Sequence, residues 1–176
     1  MACELTLGRL EPCKDTVGGI RSLAFLNYQE YRYTVLAGKV TAWTEDDGIT
    51  APTAYRYVVR GANNSLTQNI NTSRDNGTSY IEQAIAAVFK RLSAASNVEF
   101  MLMIYGRPVV VVEDNEGVLW ACGLDFGCDV TGGNAATGAA MGDLNGYSIT
   151  LSGMEKVFAP EVDPVVWSSF TIVEGI

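Results

Sequence analysis

The sequence predicts a mainly β, α+β fold, an antiparallel β-sandwich or barrel flanked by one α-helix. Most of the chain consists of short segments rich in β-branched and aromatic residues, separated by Gly, Pro, Asn and Asp. Only residues 79–95 repeat apolar side chains at a helical period. Neighbouring strands of a parallel sheet need a long crossover connection between them. Because the sequence contains only one connection long enough for a helix, antiparallel pairing is favoured.

The predicted helix spans Ser79 to Ala95 and is expected to lay its apolar face on the sheet. Ser79 and Glu82 have the spacing of a capping box, and Lys90 and Arg91 lie near the end, where positive charge complements the helix dipole. The face repeats at i, i+3 and i+4 through Ile81, Ala84, Ile85, Val88, Phe89 and Leu92.

The predicted strands are short and separated by turn signals. They span 20–26, 34–36, 39–43, 53–60, 65–73, 98–105, 109–112, 118–122, 146–153 and 165–173. Segment 65–73 is polar and predicts an edge strand, whereas 98–105 is almost wholly apolar and predicts a strand buried on both faces. In 146–153, apolar residues alternate with Ser148, Thr150 and Ser152, which predicts one wet face.

The length of 176 residues predicts a single domain over 1–176. We expect an arm over 1–19, a β core with the helix over 20–160, and a C-terminal strand segment over 161–176. Residues Thr131 to Gly142 are almost wholly Gly, Ala and Thr, and predict a surface loop that cannot build a core of its own.

Composition disfavours several classes of function. The net charge is −8, from 12 basic and 20 acidic residues, which disfavours a general binder of nucleic acid or of anionic membranes. Histidine is absent, so the usual general base and the commonest metal ligand are missing. We expect no enzyme, no cofactor and no metal, and no secretory signal or membrane span is recognised. The four cysteines, with no zinc or redox spacing, are expected to be free thiols.

Three patterns have a functional and a plain structural interpretation. The Gly-rich segment 131–142 could suggest a phosphate cradle, but it lacks the lysine and the following helix of such motifs. The acidic clusters at 45–47 and 113–116 could serve glycoside hydrolysis or calcium binding, but both coincide with predicted turns. Trp43, Trp120 and Trp167 could form a sugar platform, but strand tryptophans are more often core or interface anchors.

Two stretches resemble a known family. The run LDFGCDVTGGNAATGAAMGDLNGYSITLSGMEKVFAPEV (Leu124 to Val162) and the opening CELTLGRLEPCKDTVGGI (Cys3 to Ile20) are similar to tail-tube, or major tail, proteins of tailed bacteriophages, particularly those of Bacteroides-type hosts. The central part of the chain matches in pattern only.

The resemblance implies a virion structural protein, assembled in the host cytoplasm, without catalytic residues. Such subunits form rings, usually hexameric, which stack around a channel that lets DNA pass without specific binding and contact other virion proteins. It implies interface residues in the arm and the small-residue segment, namely Cys13, Val17, Gly19, Thr131, Gly133, Asn134, Thr137, Gly138 and Met141. Acidic candidates for the channel wall are Asp46, Asp47, Glu113, Asp114 and Glu116.

Two alternatives remain open at this stage. The chain could be another virion component, such as a head–tail connector ring or a capsid auxiliary protein. It could also be a histidine-free carboxylate enzyme or a carbohydrate-binding module carried on the virion.

Overall fold

A computed structural model describes residues 7–11 and 13–175. Within them the chain forms twelve strands and two helices. The strands are β1 (Ile20–Leu26), β2 (Tyr31–Leu36), β3 (Lys39–Glu45), β4 (Thr53–Val58), β5 (Ser65–Ser73), β6 (Thr78–Lys90), β7 (Val109–Asp114), β8 (Leu119–Cys122), β9 (Cys128–Ala136), β10 (Gly146–Glu155), β11 (Glu161–Val162) and β12 (Thr171–Glu174). The helices are α1 (Ala94–Tyr105) and α2 (Pro164–Ser169).

The strands form two sheets, which confirms the mainly β, sandwich-like fold predicted from the sequence. The larger sheet, sheet A, has eight strands in the order β12-β4-β1-β7-β8-β11-β3-β2. The smaller, sheet B, has four in the order β5-β6-β10-β9. Every pairing is antiparallel except β11 with β3 and β12 with β4.

The first core lies between the two sheets and under α1. Alternate residues of β1 and β7 face sheet B, and Phe100 and Met103 of α1 close one end. Its buried side chains include Leu23, Phe25, Val110, Val112, Ile85, Ala87, Phe89, Ile149 and Leu151.

The second core lies on the other side of sheet A. The remaining residues of β1 and β7, such as Leu26 and Val111, are buried there. Trp43 of β3 packs edge-on against Phe170, which precedes β12, with ring centroids 5.2 Å apart. Because β3 and β12 lie towards opposite margins of sheet A, the sheet curls until these margins meet over the second core. The continuous run Val109–Val112 is apolar because both of its faces are buried.

The predicted helix over 79–95 is wrong: most of this segment is strand β6. Ile81, Ile85 and Phe89 face the core, but so do Gln83 and Ala87, which gives a period of two. The middle of the opposite face carries Ala84, Ala86 and Val88 rather than polar residues, so the alternation was hidden in the sequence. Pairing with β5 on one side and β10 on the other supplies the backbone hydrogen bonds that a helix would have made internally.

The predicted strand over 98–105 is also wrong, since this segment belongs to helix α1. Ser93 caps its start by accepting a hydrogen bond from the backbone N–H of Ser96 at 3.1 Å. Tyr147 of β10 secures the same turn, because its hydroxyl accepts from the N–H of Ser93 at 3.2 Å. The segment is apolar around its circumference, although only Phe100 and Met103 are buried and its other face stays exposed.

The predicted strand over 165–173, and hence the all-strand C-terminal segment, is corrected to a short helix followed by a strand. Asp163 caps α2 by accepting from the N–H of Val165 at 2.8 Å, and Pro164 fits the first helical position. Strand β12 then pairs in parallel with β4. The strand predictions at 20–26, 65–73 and 146–153 are confirmed, including the edge position of β5.

Candidate functional site: an assembly surface

Among residues 7–11 and 13–175, no strand pairs with either edge of sheet B, and one face of the sheet lies outside the core. Strands β6 and β10 form its centre, paired along 10 residues each, and β5 and β9 form its margins. The inner face belongs to the first core. The outer face, here called the open face, carries alternate residues of all four strands.

Small and neutral side chains dominate the middle of the open face. They include Thr67, Ala84, Ala86, Gly132, Asn134, Ser148, Thr150 and Ser152. Its acidic residues are Glu82 and Asp129, and Lys90 lies at the end of β6. Asn69 and Ser152 donate hydrogen bonds to the Glu82 carboxylate, at 3.4 and 3.3 Å.

The free edge of β5 lacks the usual protection against strand pairing, and the edge of β9 has only a little of it. Exposed edge strands are normally blocked by charges, especially Lys, by Pro, or by bulges. Strand β5 (SLTQNINTS) has no charged residue and no Pro over nine residues. Strand β9 has one charge, Asp129, and a bulge at Thr131, where the register with β10 shifts between Thr150 and Leu151. The edge of β5 is therefore open to a further strand, and that of β9 is protected only by one charge and one bulge.

The N-terminal arm is held at Val17 and Gly18, and the described residues that precede them are exposed. The N–H of Val17 donates to Glu116 at 2.9 Å, and Asn115 donates to the carbonyl oxygen of Gly18 at 2.7 Å. Gly19 has a φ of +102° and a Cβ there would lie 2.8 Å from the Asn115 side chain, so this joint requires glycine. Cys13 is exposed, as are Lys14 and Asp15.

The remaining predicted interface residues divide between a strand and a turn, so the prediction of one loop over 131–142 is corrected. Thr131, Gly133 and Asn134 belong to β9. Thr137, Gly138 and Met141 lie in the connection from β9 to β10, and the Met141 side chain is fully exposed.

The connection after β9 is ordered by one carboxylate. Asp143 accepts hydrogen bonds from the N–H groups of Ala139 and Ala140, at 2.9 and 2.7 Å. These backbone bonds lower the pKa of Asp143. The segment is thus a hairpin with a defined turn.

The acidic residues predicted at 46 and 47 lie in the turn after β3. Asp46 is paired with Arg32 at 3.3 Å, and both side chains are exposed. Asp47 accepts from the hydroxyl of Thr50 and from the N–H groups of Ile49 and Thr50, both at 2.8 Å. The Thr50 hydroxyl and these N–H groups lower the pKa of Asp47.

The second acidic cluster lies at the end of β7. Glu113 is only 17% exposed and is paired with Arg56 at 3.0 Å. Asp114 accepts from the indole N–H of Trp120 at 3.2 Å and orders the turn to β8. Glu116 holds the arm through Val17. All five predicted acids therefore belong to sheet A or its turns, and none lies on the open face.

A buried carboxylate and two thiols lie at the turn between β8 and β9. Glu155 accepts from the N–H groups of Asp125 and Phe126, at 3.1 and 3.0 Å, and its burial raises its pKa. Cys122 and Cys128 are free and buried, and burial raises the pKa of Cys128 to about 12. A thiol held protonated in this way is a poor nucleophile and acts as core packing. Cys3 lies outside the described residues.

Within residues 7–11 and 13–175, no three Cys, Asp or Glu side chains are grouped so that they could hold a metal ion. No helix in the described part of the chain is long and apolar enough to cross a membrane.

Comparison of the chain with protein-family models, with curated proteins and with solved structures gave no match.

The open face is the feature that sequence reasoning missed. Its β10 part was predicted through the wet face of 146–153, but assigning 79–95 to a helix removed the strand beside it. The sequence carried no clear signal for it, because the polar Gln83 interrupts the apolar alternation of Ile81, Ile85 and Ala87.

Proposed function

We propose that this chain is a structural subunit that forms rings through the edges of sheet B, as the tail-tube subunit of a bacteriophage virion. The observation that carries the proposal is a four-stranded sheet whose two edges pair with no described strand, one edge without charge, and whose open face is made mainly of small side chains at its middle. The likeness of 3–20 and 124–162 to tail-tube proteins supports the tail-tube assignment.

The strand directions favour a closed ring. Adjacent strands of sheet B alternate in direction, so β5 and β9 run antiparallel to each other. When copies are related by rotation about one axis, β9 of each copy meets β5 of the next in antiparallel orientation. Every copy then uses both of its edges, and a ring of any number of copies closes as an even-stranded barrel.

The open face would form the channel wall. A hexameric ring would contain about 24 strands, and at roughly 4.8 Å per strand its wall would have a diameter of about 37 Å before tilting. Short side chains such as Ala86 and Ser148 leave this width largely unobstructed. The proposal places Glu82 and Asp129 on the wall, instead of the five acids predicted from the sequence. Carboxylates repel passing phosphates, so DNA would not adhere.

The test combines electron microscopy with proline substitutions in β5. Residues along an antiparallel edge strand alternate in whether their N–H points into the sheet or to the free edge. One of Asn69→Pro and Ile70→Pro therefore removes an N–H from the free edge alone, and denaturant unfolding shows which variant keeps the wild-type fold. Asn69→Ala and Ile70→Ala are the controls, because they remove the side chain and keep the N–H.

We expect rings or tubes from the concentrated wild-type protein and from both alanine controls. The proline variant that keeps its fold should remain unassembled. A wild-type chain that is monomeric at all concentrations, or normal assembly by the proline variant that keeps its fold, would exclude this proposal. Binding to capsids without rings would assign the chain to a capsid auxiliary role.

A further inference from the structure

A groove runs along helix α1 on the side of β4. It consists of two cavities of about 580 and 350 Å³, and Tyr55, Tyr57 and Glu99 line both of them, so the two cavities adjoin. Ser96, in the first turn of α1, lines the larger cavity, and Gly106, which follows the helix, lines the smaller. At 1.5 Å per residue, the groove therefore follows α1 for roughly 15 Å.

The floor of the groove is aromatic and held by contacts within the fold. Phe100 packs against Tyr147 and Phe89, with ring centroids 4.5 and 5.2 Å apart, and all three side chains are buried. Tyr57 packs edge-on against Phe89 at 5.7 Å. Leu102, which is 62% exposed, continues the apolar surface in the smaller cavity. A concave surface fixed in this way can take up apolar side chains without first rearranging.

Basic residues are concentrated in the groove although the chain as a whole is acidic. The sequence has 12 basic and 20 acidic residues. In the lining of the two cavities the balance is reversed, with four basic residues and two acidic ones. A concave site with an excess of positive charge favours an anionic ligand. The basic residues are Arg56, Lys90, Arg91 and Arg107, and the acidic ones are Glu99 and Glu174.

Three of the four basic residues are not neutralised by a neighbouring carboxylate. Arg56 is neutralised, because it pairs with Glu174 of the groove at 3.4 Å and with a second carboxylate at 3.0 Å. Within residues 7–11 and 13–175, the other three basic residues of the groove form no ion pair, and neither does Glu99. Three cations thus stand against one carboxylate, which leaves an excess of positive charge for a ligand.

Arg91 occupies a backbone conformation that disfavours a side chain. Its φ is +71°, in the left-handed region that glycine adopts freely and other residues rarely. Asn145 holds this conformation, because its carbonyl oxygen accepts from the N–H of Arg91 at 2.6 Å and its side chain accepts from that of Leu92 at 3.2 Å. Strained residues of this kind cluster at ligand-binding positions. The strain therefore marks Arg91 as a candidate binding residue of the groove.

The charges also determine which end of the groove suits an anionic group. Lys90 and Arg91 line the larger cavity together with the first turn of α1, where the helix dipole is positive. In the smaller cavity, Arg107 lies over the ring of Tyr28, 5.0 Å from its centroid, beside the negative end of the helix. Glu99 lies between the two. An anionic group is thus favoured in the larger cavity, and apolar groups are favoured beyond it.

We propose that the groove along α1 binds an extended segment of a partner protein, with acidic side chains beside Lys90 and Arg91 and apolar side chains along the aromatic floor. At about 3.3 Å per residue, a segment of roughly four to five residues spans the groove. A groove of this length along a helix suits a peptide, whereas Glu99 and the net charge of −8 disfavour a nucleic acid.

The inference goes beyond the proposed function and does not depend on it. The two margins of sheet B, strands β5 and β9, line neither cavity. Binding of a segment in the groove therefore leaves pairing through these strands possible, and absence of that pairing leaves the groove unchanged.

The first test is selection by the full chain from a bead-bound library of random peptides, each about eight residues long. We expect the enriched sequences to carry Asp and Glu clustered at one end and Leu, Ile or aromatic residues beyond them. Enrichment of basic or wholly polar sequences, or no enrichment beyond that obtained with Arg91→Gly, would overturn the proposal.

The second test locates the site by measuring the Kd of the best peptide, labelled with a neutral dye, by fluorescence anisotropy. Arg91→Gly removes the guanidinium group and relieves the backbone strain, so it should keep the fold and weaken binding about tenfold. Denaturant unfolding checks the fold. Arg74→Gly is the matched control, because Arg74 is exposed in the turn between β5 and β6 and lines neither cavity.

Two further pairs of variants test the carboxylate and the apolar end. Glu99→Gln should strengthen binding severalfold, because it removes a repelling charge, whereas Asp75→Asn in the exposed turn after β5 should not. Leu102→Ser should weaken binding. Ile104→Ser is its control, since Ile104 is 51% exposed on the same helix and lines neither cavity.

The outcomes also separate this inference from the proposed function. Equal Kd values for each variant and its control would place the peptide elsewhere and overturn the assignment. Displacement of the peptide by an equal concentration of 3-phenylpropionate would identify a small-molecule site and overturn the peptide as its occupant. Specific peptide binding by a chain that never forms rings would support the groove and exclude the proposed function. Rings without any peptide binding would do the reverse.

Discussion

Gly133 of β9 lies against the backbone of Ser148 in β10 so closely that no side chain fits between them. A Cβ at Gly133 would lie 2.3 Å from the carbonyl oxygen of Ser148. Gly133 also has a φ of +154°, which side chains rarely allow. The neighbouring Gly132 has open space at the same position. The edge strand β9 therefore depends on one of its two glycines.

We predict that Gly133→Ala destabilises the protein by about 1–3 kcal/mol, because the clash and the backbone strain separate β9 from β10. Gly132→Ala should change the free energy of unfolding by no more than about 0.5 kcal/mol. Urea denaturation of both variants and the wild type measures the difference. Equal stability of the two variants would show that β9 is not bound in this register.

Adjacent alanines in β6 provide a test of strand against helix. Ala87 is 1% exposed and faces the first core, whereas Ala86 belongs to the open face. Ala87→Asp buries a carboxylate and should cost about 3 kcal/mol or more, while Ala86→Asp should cost about 1 kcal/mol. Thermal or urea unfolding gives both values. In a helix with its apolar face at Ile81, Ile85 and Val88, neither alanine would lie at the centre of the buried face. Similar losses of stability for Ala86→Asp and Ala87→Asp would therefore contradict the strand.

The thiols should separate into reactive and protected classes. Cys13 is exposed, whereas burial raises the pKa of Cys122 and of Cys128, the latter to about 12. Iodoacetamide at neutral pH should modify Cys13 in the native protein and leave Cys122 and Cys128 unmodified, since the thiolate is the reactive form. In denaturant without reductant, both should be modified as well. Mass spectrometry of peptides checks this, and modification of the buried pair that requires a reductant would reveal a disulfide.

Glu155 should give the stability a distinct pH dependence. Burial raises its pKa in the folded chain, so the folded state holds the proton to a higher pH than the unfolded state. Its contribution to stability is therefore present at low pH and is lost as the pH rises through the raised pKa. Glu155→Gln retains an oxygen that can accept from Asp125 and Phe126.

We expect the free energy of unfolding of the wild type to fall relative to that of Glu155→Gln as the pH rises from below the ordinary glutamate pKa through the raised pKa of Glu155. Groups such as Asp47 and Asp143, whose pKa values are lowered, titrate in both proteins and cancel in the comparison. Urea titrations at several pH values provide the measurement. A difference that does not vary with pH would contradict the burial of an ionisable Glu155.

The sequence alone determined those elements whose residue pattern is compatible with only one type of secondary structure. Strand β10 alternates cleanly, β1 and the β7–β8 hairpin are bounded by turn signals, and the polar β5 could only be an edge. Segment 79–90 is compatible with both a helix and a strand. Ile81, Ile85 and Phe89 are spaced four residues apart, and residues at that spacing share a face in either structure. Pairing with β5 and β10 decides between the two, and these partners are distant in sequence.

The predicted and the observed functional surfaces differ for the same reason. The sequence could single out exposed turns, an arm and acidic clusters, since these follow from composition. It could not show that Glu113 is neutralised by Arg56, 57 residues away, or that Glu82 and Asp129 share an open face. Nor could it show that Tyr55 and Glu99 meet in one groove. Only the tertiary structure decides these relationships, because strand pairing sets which side chains become neighbours and which edges remain free.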